Sequence, residues 1–274
     1  MPDPVAPSAA IPALPPRPDL RRRVLAGEST IGAFVNLGSV VAAELVARAG
    51  FDWALLDLEH GMGTDADLHA QLLAVQGTPT AAVVRVASAE RLRVGRTLDL
   101  GADGLMIPRL ETATEIAETL TWMRYPPAGI RGVALGTRGG GYGGITHADL
   151  AATVNDRVLG VFQVESGAAV EAAAETAAID GVDVLFVGPA DLSHSMGMPG
   201  RFDDPTFVAA LDGVVAAARA HGKSAGILLR DASGVAAAHA QGFTFIGIGS
   251  DSSFMVAAAR AGLAQARAAV GLPG

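Results

Sequence analysis

Cysteine is absent from the chain. Disulfide bridges and thiolate metal ligands are thereby excluded, and a cytoplasmic location is the expectation. Lysine occurs once, at Lys223, so any Schiff-base chemistry would have to use that side chain. Basic residues are in deficit, 20 against 28 acidic ones, for a net charge of −8. That balance argues against binding nucleic acid through its phosphates. No apolar stretch is long enough to cross a membrane. The strand–helix turns carry neither a GxGxxG dinucleotide fingerprint nor a P-loop.

Half of the 274 residues are hydrophobic, enough for one barrel-sized core or two small ones. Residues 1–18 are rich in Pro and Ala, lack a charged leader and have prolines in every apolar run. They read as a disordered arm, not a signal peptide. Residues 19–274 read as a single domain with no internal boundary. Asp19 can cap a short helix over 20–26, and its basic triplet, Arg21 to Arg23, reads as a solvated helix face.

From residue 30 on, short apolar runs alternate with Ala-rich helical stretches. Strands are predicted at 31–37, 53–58, 81–86, 104–107, 159–164, 184–187, 224–229 and 243–248. The matching helices are 40–49, 65–75, 89–98, 113–123, 168–178, 205–220, 233–240 and 252–269. Loops fill 124–145 and 188–204, and a small helix lies at 147–154. Strict alternation indicates a parallel sheet, and closing eight strands gives a (β/α)8 TIM barrel.

In such a barrel, chemistry collects where strands end and helices begin. The second strand delivers Asp57, Glu59 and His60 there, and the third delivers Arg85. The fourth gives Pro108 and Arg109, the fifth Gln163 and Glu165, the sixth Asp191, the eighth Ser250 and Asp251. Glu165 and Asp191 leave adjacent strands, so their carboxylates can share a hard divalent cation such as Mg2+ or Mn2+. Their alternative is to cap the helices that follow. Arg85 ends an apolar strand and needs an anionic ligand, or an ion pair with Asp57 or Glu59. His60 can move a proton near neutral pH, or is a satisfied structural histidine. Gly139 to Gly141 could approach a phosphate but has no Lys or Ser/Thr partner beside it, so that signal is weak.

At these residues the chain resembles the HpcH/HpaI family of metal-dependent pyruvate aldolases. The matching stretches are Phe51-Asp52-Trp53 with Asp57-Leu58-Glu59-His60, the run Arg124 to Val133, Gln163-Val164-Glu165, Val187 to Ser193, and Gly247 to Asp251. Together they span nearly the whole chain after the arm. The resemblance implies reversible cleavage of 4-hydroxy-2-oxo acids to pyruvate and an aldehyde. It implies that Glu165 and Asp191 hold a divalent cation (Mg2+, Mn2+ or Co2+), and that Gln163 with the backbone at Ala190 and Asp191 positions the pyruvoyl group. Arg85 would then stabilise the enolate, with His60 as base. The family pattern assigns Asp99 to raising the basicity of that histidine. Asp99 falls at a helix end on the opposite face of its own barrel, so the histidine it serves would belong to a neighbouring subunit. Asp57 is the local alternative. The resemblance also implies a homo-oligomer, a hexamer with the last helix exchanged between partners.

The sequence departs from the family after the histidine, at Gly61-Met62-Gly63, and in the glycine-rich loop 136–143. Both are expected to border the aldehyde pocket. An acyl-CoA thioester lyase of the malyl-CoA or citrate lyase type would share this fold and cation site, but needs a basic groove for the CoA diphosphate. No such cluster lies near the strand exits. A non-catalytic barrel that binds pyruvate-like ligands is the other alternative, and the retained base, carboxylates and arginine argue against it.

Overall fold

A computed structural model describes residues 18–273. The arm expected over 1–18 therefore lies, but for Pro18, outside the described residues. The strands are β1 (Thr30–Val35), β2 (Trp53–Asp57), β3 (Ala81–Arg85), β4 (Gly104–Ile107), β5 (Leu159–Val164), β6 (Val184–Val187), β7 (Ser224–Leu229) and β8 (Phe245–Ser250). Each pairs in parallel with the next, and β8 closes on β1, as expected from the alternation.

Two apolar layers follow from the two faces of each strand. Trp53 and Leu55 of β2, Ala81 and Val83 of β3, and Leu159 and Val161 of β5 belong to the cluster that fills the barrel. Their neighbours Ala54, Leu56, Ala82 and Val84 join the layer between sheet and helices. At the bottom, Trp53 stacks on Phe245 with ring centroids 4.2 Å apart. Gly32 is required beneath it, because a Cβ there would lie 2.0 Å from the indole.

Helix Leu20–Leu25, capped by Asp19, closes that lower end with Leu20 and Val24 in the same cluster. Its basic triplet corrects the expectation of a solvated face. Arg21 makes two hydrogen bonds, 2.8 and 3.0 Å, to the fully buried Asp183. Arg23 pairs with Asp52 at 2.8 Å, and only Arg22 remains at the surface, bonded to Asp19. A second correction follows β6. The expected loop opens with a helix, Pro189–Ser195, with Pro189 in its first turn and Asp191 among its first residues. Proline suits that position because the first helical N–H has no partner in any case.

Candidate active site

The side chains singled out at strand exits continue the inward ladder by one step. Asp57 and Arg85 are register partners across β2 and β3, each two residues above an inward apolar side chain. Arg85 Nε and Nη2 donate to the two Asp57 oxygens at 2.9 and 2.7 Å. The same carboxylate receives the backbone N–H of Glu59 at 3.0 Å and of His60 at 3.3 Å. Burial disfavours the charge on Asp57, but the Arg85 guanidinium and these N–H groups outweigh it. They hold the carboxyl below its ordinary range. Arg85 Nη1 also lies 3.2 Å from Glu59 Oε2. The ion-pair alternative for Arg85 is thus realised, yet Arg85 still lines the cavity at the barrel mouth.

Neither carboxylate offered as a helix cap is one. Ser166 caps the helix after β5, and Gly188 is the N-cap residue after β6, with no side-chain bond. Glu165 instead accepts the Arg109 N–H at 2.8 Å and the Gln163 amide at 3.0 Å. Asp191 accepts no hydrogen bond among the described residues. The two acids converge over Gly188. A Cβ there would lie 3.6 Å from Glu165 Oε2, 3.7 Å from Gln163 Nε2 and 3.8 Å from Asp191 Oδ2. This cradle of hard oxygen donors fits a divalent cation completed by water and substrate oxygens. Among the described residues no group of three or more His, Cys, Asp or Glu could hold a metal ion, so a cation here would have Glu165 and Asp191 as its protein ligands. Burial pushes the Glu165 pKa up, and the charges of Glu59 and Asp191 add to the push.

His60 stands at the mouth with its side chain 59% exposed and Nε2 3.9 Å from Glu59 Oε2. Asp57 accepts its backbone N–H, and among the described residues makes no hydrogen bond to its ring. Asp99 ends helix Arg91–Asp99, at the other end of the barrel, and accepts from Arg131 Nη2 at 2.7 Å. The glycine-rich loop lies there too, with the Gly139 N–H on the Asp99 carbonyl at 2.9 Å. Within one chain that loop does not line the cavity at the mouth. It follows helix Ala113–Met123, which runs back down the barrel.

The cavity encloses about 640 Å³. His60, Arg85, Gln163 and Asp191 form its polar side; Phe202, Leu211 and Leu229 form part of its apolar wall. Sequence reasoning passed over Asn36, assigned no role to Arg109, and offered Glu59 only as a partner for Arg85. Asn36 leaves β1 into the cavity wall, and its N–H is held by Asp251 at 3.0 Å. Asp251 also takes the Leu37 N–H at 3.2 Å, so it clips the seam between β8 and β1. Glu59 lies between two cations, Arg85 and Arg109. The period-two inward ladder was the signal that could have drawn attention to the β1 exit; the partners of Glu59 and Arg109 are distant in sequence.

A closed parallel barrel with titratable side chains gathered at its strand exits has the architecture of a (β/α)8 enzyme. The chain belongs to the HpcH/HpaI aldolase/citrate lyase family, whose model matches residues 30–258. It is 38% identical to a hydroxypyruvate/pyruvate aldolase of Paraburkholderia phytofirmans, over 90% of this chain and 97% of that one. It is 37% identical to a 5-keto-4-deoxy-D-glucarate aldolase of Klebsiella pneumoniae, over 81% and 86%. The crystal structure of an HpcH/HpaI aldolase/citrate lyase family protein from Burkholderia cenocepacia superposes with a TM-score of 0.86 at 36% identity. That match covers 90% of this chain and 98% of the other.

Proposed function

We propose that this protein is a divalent-cation-dependent aldolase that reversibly cleaves 4-hydroxy-2-oxo acids to pyruvate and an aldehyde. The observation that carries the reading is the convergence of Glu165 and Asp191 over Gly188, beside the clamped Arg85. Charge supports it. Four carboxylates, Asp57, Glu59, Glu165 and Asp191, face two guanidinium groups, Arg85 and Arg109. The surplus of two negative charges is what one divalent cation neutralises.

Glu165 and Asp191 hold Mg2+, Mn2+ or Co2+. When bound, the cation supplies Lewis-acid polarisation of the substrate's 2-oxo group. Gln163 and the N–H groups of Ala190 and Asp191 orient the 2-oxo acid end. Those N–H groups lie in the first turn of helix Pro189–Ser195, where no intrahelical carbonyl is available to them. Arg85, fixed before substrate arrives, faces the negative charge that develops on the pyruvate fragment as the C3–C4 bond breaks. A preorganised donor of this kind is worth about 3 kcal/mol of barrier. His60 accepts the 4-hydroxyl proton on cleavage, and a proton returned to C3 releases pyruvate. Asp99 serves His60 of a second subunit. Oligomerisation is supported by helix Asp251–Ala269, in which only Asp251 is buried while Met255, Val256 and Leu263 are exposed.

Lys223 immediately precedes β7, at the end of the barrel away from the cavity, which disfavours a Schiff base. Pyruvate release coupled to lactate dehydrogenase tests the proposal, with His60→Ala as the inactive control. EDTA is expected to abolish the activity and added Mg2+, Mn2+ or Co2+ to restore it. Turnover that survives exhaustive chelation and is trapped by borohydride would overturn the reading. Malyl-CoA assayed alongside separates a thioester lyase.

A further inference from the structure

Arg109 leaves β4 after Pro108 with φ 59, in the left-handed region. Arginine seldom adopts that conformation, and strain of this kind concentrates at functional sites. Here it has an identifiable consequence. The Arg109 N–H pairs with no backbone carbonyl; it meets Glu165 Oε1 at 2.8 Å. The Gln163 amide donates to Oε2 at 3.0 Å, and Oε2 is also the Glu165 oxygen that faces Asp191 across Gly188. The side chain leads elsewhere. It is 72% exposed, with Nε 3.4 Å from Glu59 Oε1.

We propose that Arg109 is a positioning residue for the cation site: its left-handed backbone aims an N–H at Oε1 that, with the Gln163 amide on Oε2, fixes the rotation of the Glu165 carboxylate. The inference rests on the reading of Glu165 and Asp191 as cation ligands. Backbone and side chain then act in opposite directions on cation affinity. The N–H presents a ligand oxygen, whereas the guanidinium is a positive charge near an incoming cation.

That opposition sets the test. Arg109→Gly keeps the N–H, adopts the left-handed conformation freely and removes the charge. Arg109→Asn does the same with a side chain that tolerates this region. Arg109→Val is β-branched and resists it, so the peptide turns and the N–H leaves Glu165. Mn2+ dissociation constants are measured by electron paramagnetic resonance on the resting enzyme without substrate, with thermal midpoints recorded for each variant. The glycine and asparagine variants are expected to bind Mn2+ at least as tightly as the parent, and the valine variant about tenfold more weakly. If the valine variant does not fold, Arg109→Ala takes its place and must bind more weakly than Arg109→Asn. Equal affinity across the folded variants would overturn the proposal, as would a glycine variant weakened as much as valine. A parent enzyme that binds no Mn2+ would instead sink the cation site itself.

Discussion

Asp57 and Arg85 are cross-strand partners joined by two hydrogen bonds, and the carboxylate that clamps the arginine also holds the backbone of Glu59 and His60. One buried acid therefore sets both the guanidinium at the barrel mouth and the loop that carries His60. A fork-to-fork pair of this kind fixes direction as well as charge.

Replacing Asp57 by Asn removes the two-bonded counter-charge of a buried guanidinium and leaves it only the Glu59 contact at 3.2 Å. Breaking one side of a buried pair costs about 3 kcal/mol or more. Urea unfolding of D57N is expected to register that loss, and kcat to fall at least about tenfold as Arg85 and His60 lose their common anchor. Arg85→Lys separates the two effects. It keeps a positive charge but cannot make the fork, so kcat should fall with a smaller loss of stability. A D57N enzyme with the parent's kcat would show that the anchor is dispensable.

Acid stability follows from the same pair. The Asp57 carboxyl is held below its ordinary value in the folded protein, against burial, by Arg85 and two backbone N–H groups. A group lowered in this way stabilises the fold above its unfolded pKa, near 3.9, and that contribution disappears as pH falls through the folded value. Thermal midpoints measured down to about pH 2.5 should therefore drop steeply below about pH 4. In D57N the same limb should be shallower, from a lower plateau. Parallel acid limbs in the two proteins would assign the effect to other carboxylates.

Much of this was legible in the sequence because the strands are short, apolar and covered on both faces. β4, β5, β6 and β7 have the bounds that their apolar runs predict, as do helices Asp65–Val75, Ala113–Met123 and Pro205–Ala220. Asp57, Arg85 and Gln163 were legible as polar steps on an otherwise apolar inward ladder. Helix Pro189–Ser195 was not, because it has only seven residues and opens on a Gly-Pro pair that reads as loop. Arg109 meets Glu165 and Glu59 from 56 and 50 residues away, and Arg21 meets Asp183 from 162. No local pattern announces such partners; only the closed barrel brings them together.

Asp99 and His60 lie at opposite ends of one barrel, so a shared role requires two chains. The His60→Ala and Asp99→Asn enzymes are each expected to lose most pyruvate release. Mixing them under conditions of subunit exchange should restore part of it, since some mouths then combine an intact His60 with an intact Asp99. No recovery on mixing would confine Asp99 to its bond with Arg131.

Gly188 offers the sharpest separation of fold from cation binding. Its backbone, φ −95 and ψ 93, is open to an L-residue. The nearest atoms to an added Cβ, at 3.6 to 3.8 Å, are at ordinary contact distance, so no clash is built in. Gly188→Ala is therefore expected to fold, and to gain up to about 0.5 kcal/mol from the stiffer unfolded chain. The three atoms around that methyl, however, are Glu165 Oε2, Gln163 Nε2 and Asp191 Oδ2. The methyl fills the space a cation and its water would take, while both carboxylates remain. Mn2+ at 100 times its dissociation constant should stabilise the parent by about 2.7 kcal/mol, seen as a rise in thermal midpoint, and the variant by far less. Pyruvate release should fall with it. A variant that keeps the parent's response to Mn2+ would mean that Glu165 and Asp191 meet their cation somewhere other than above Gly188.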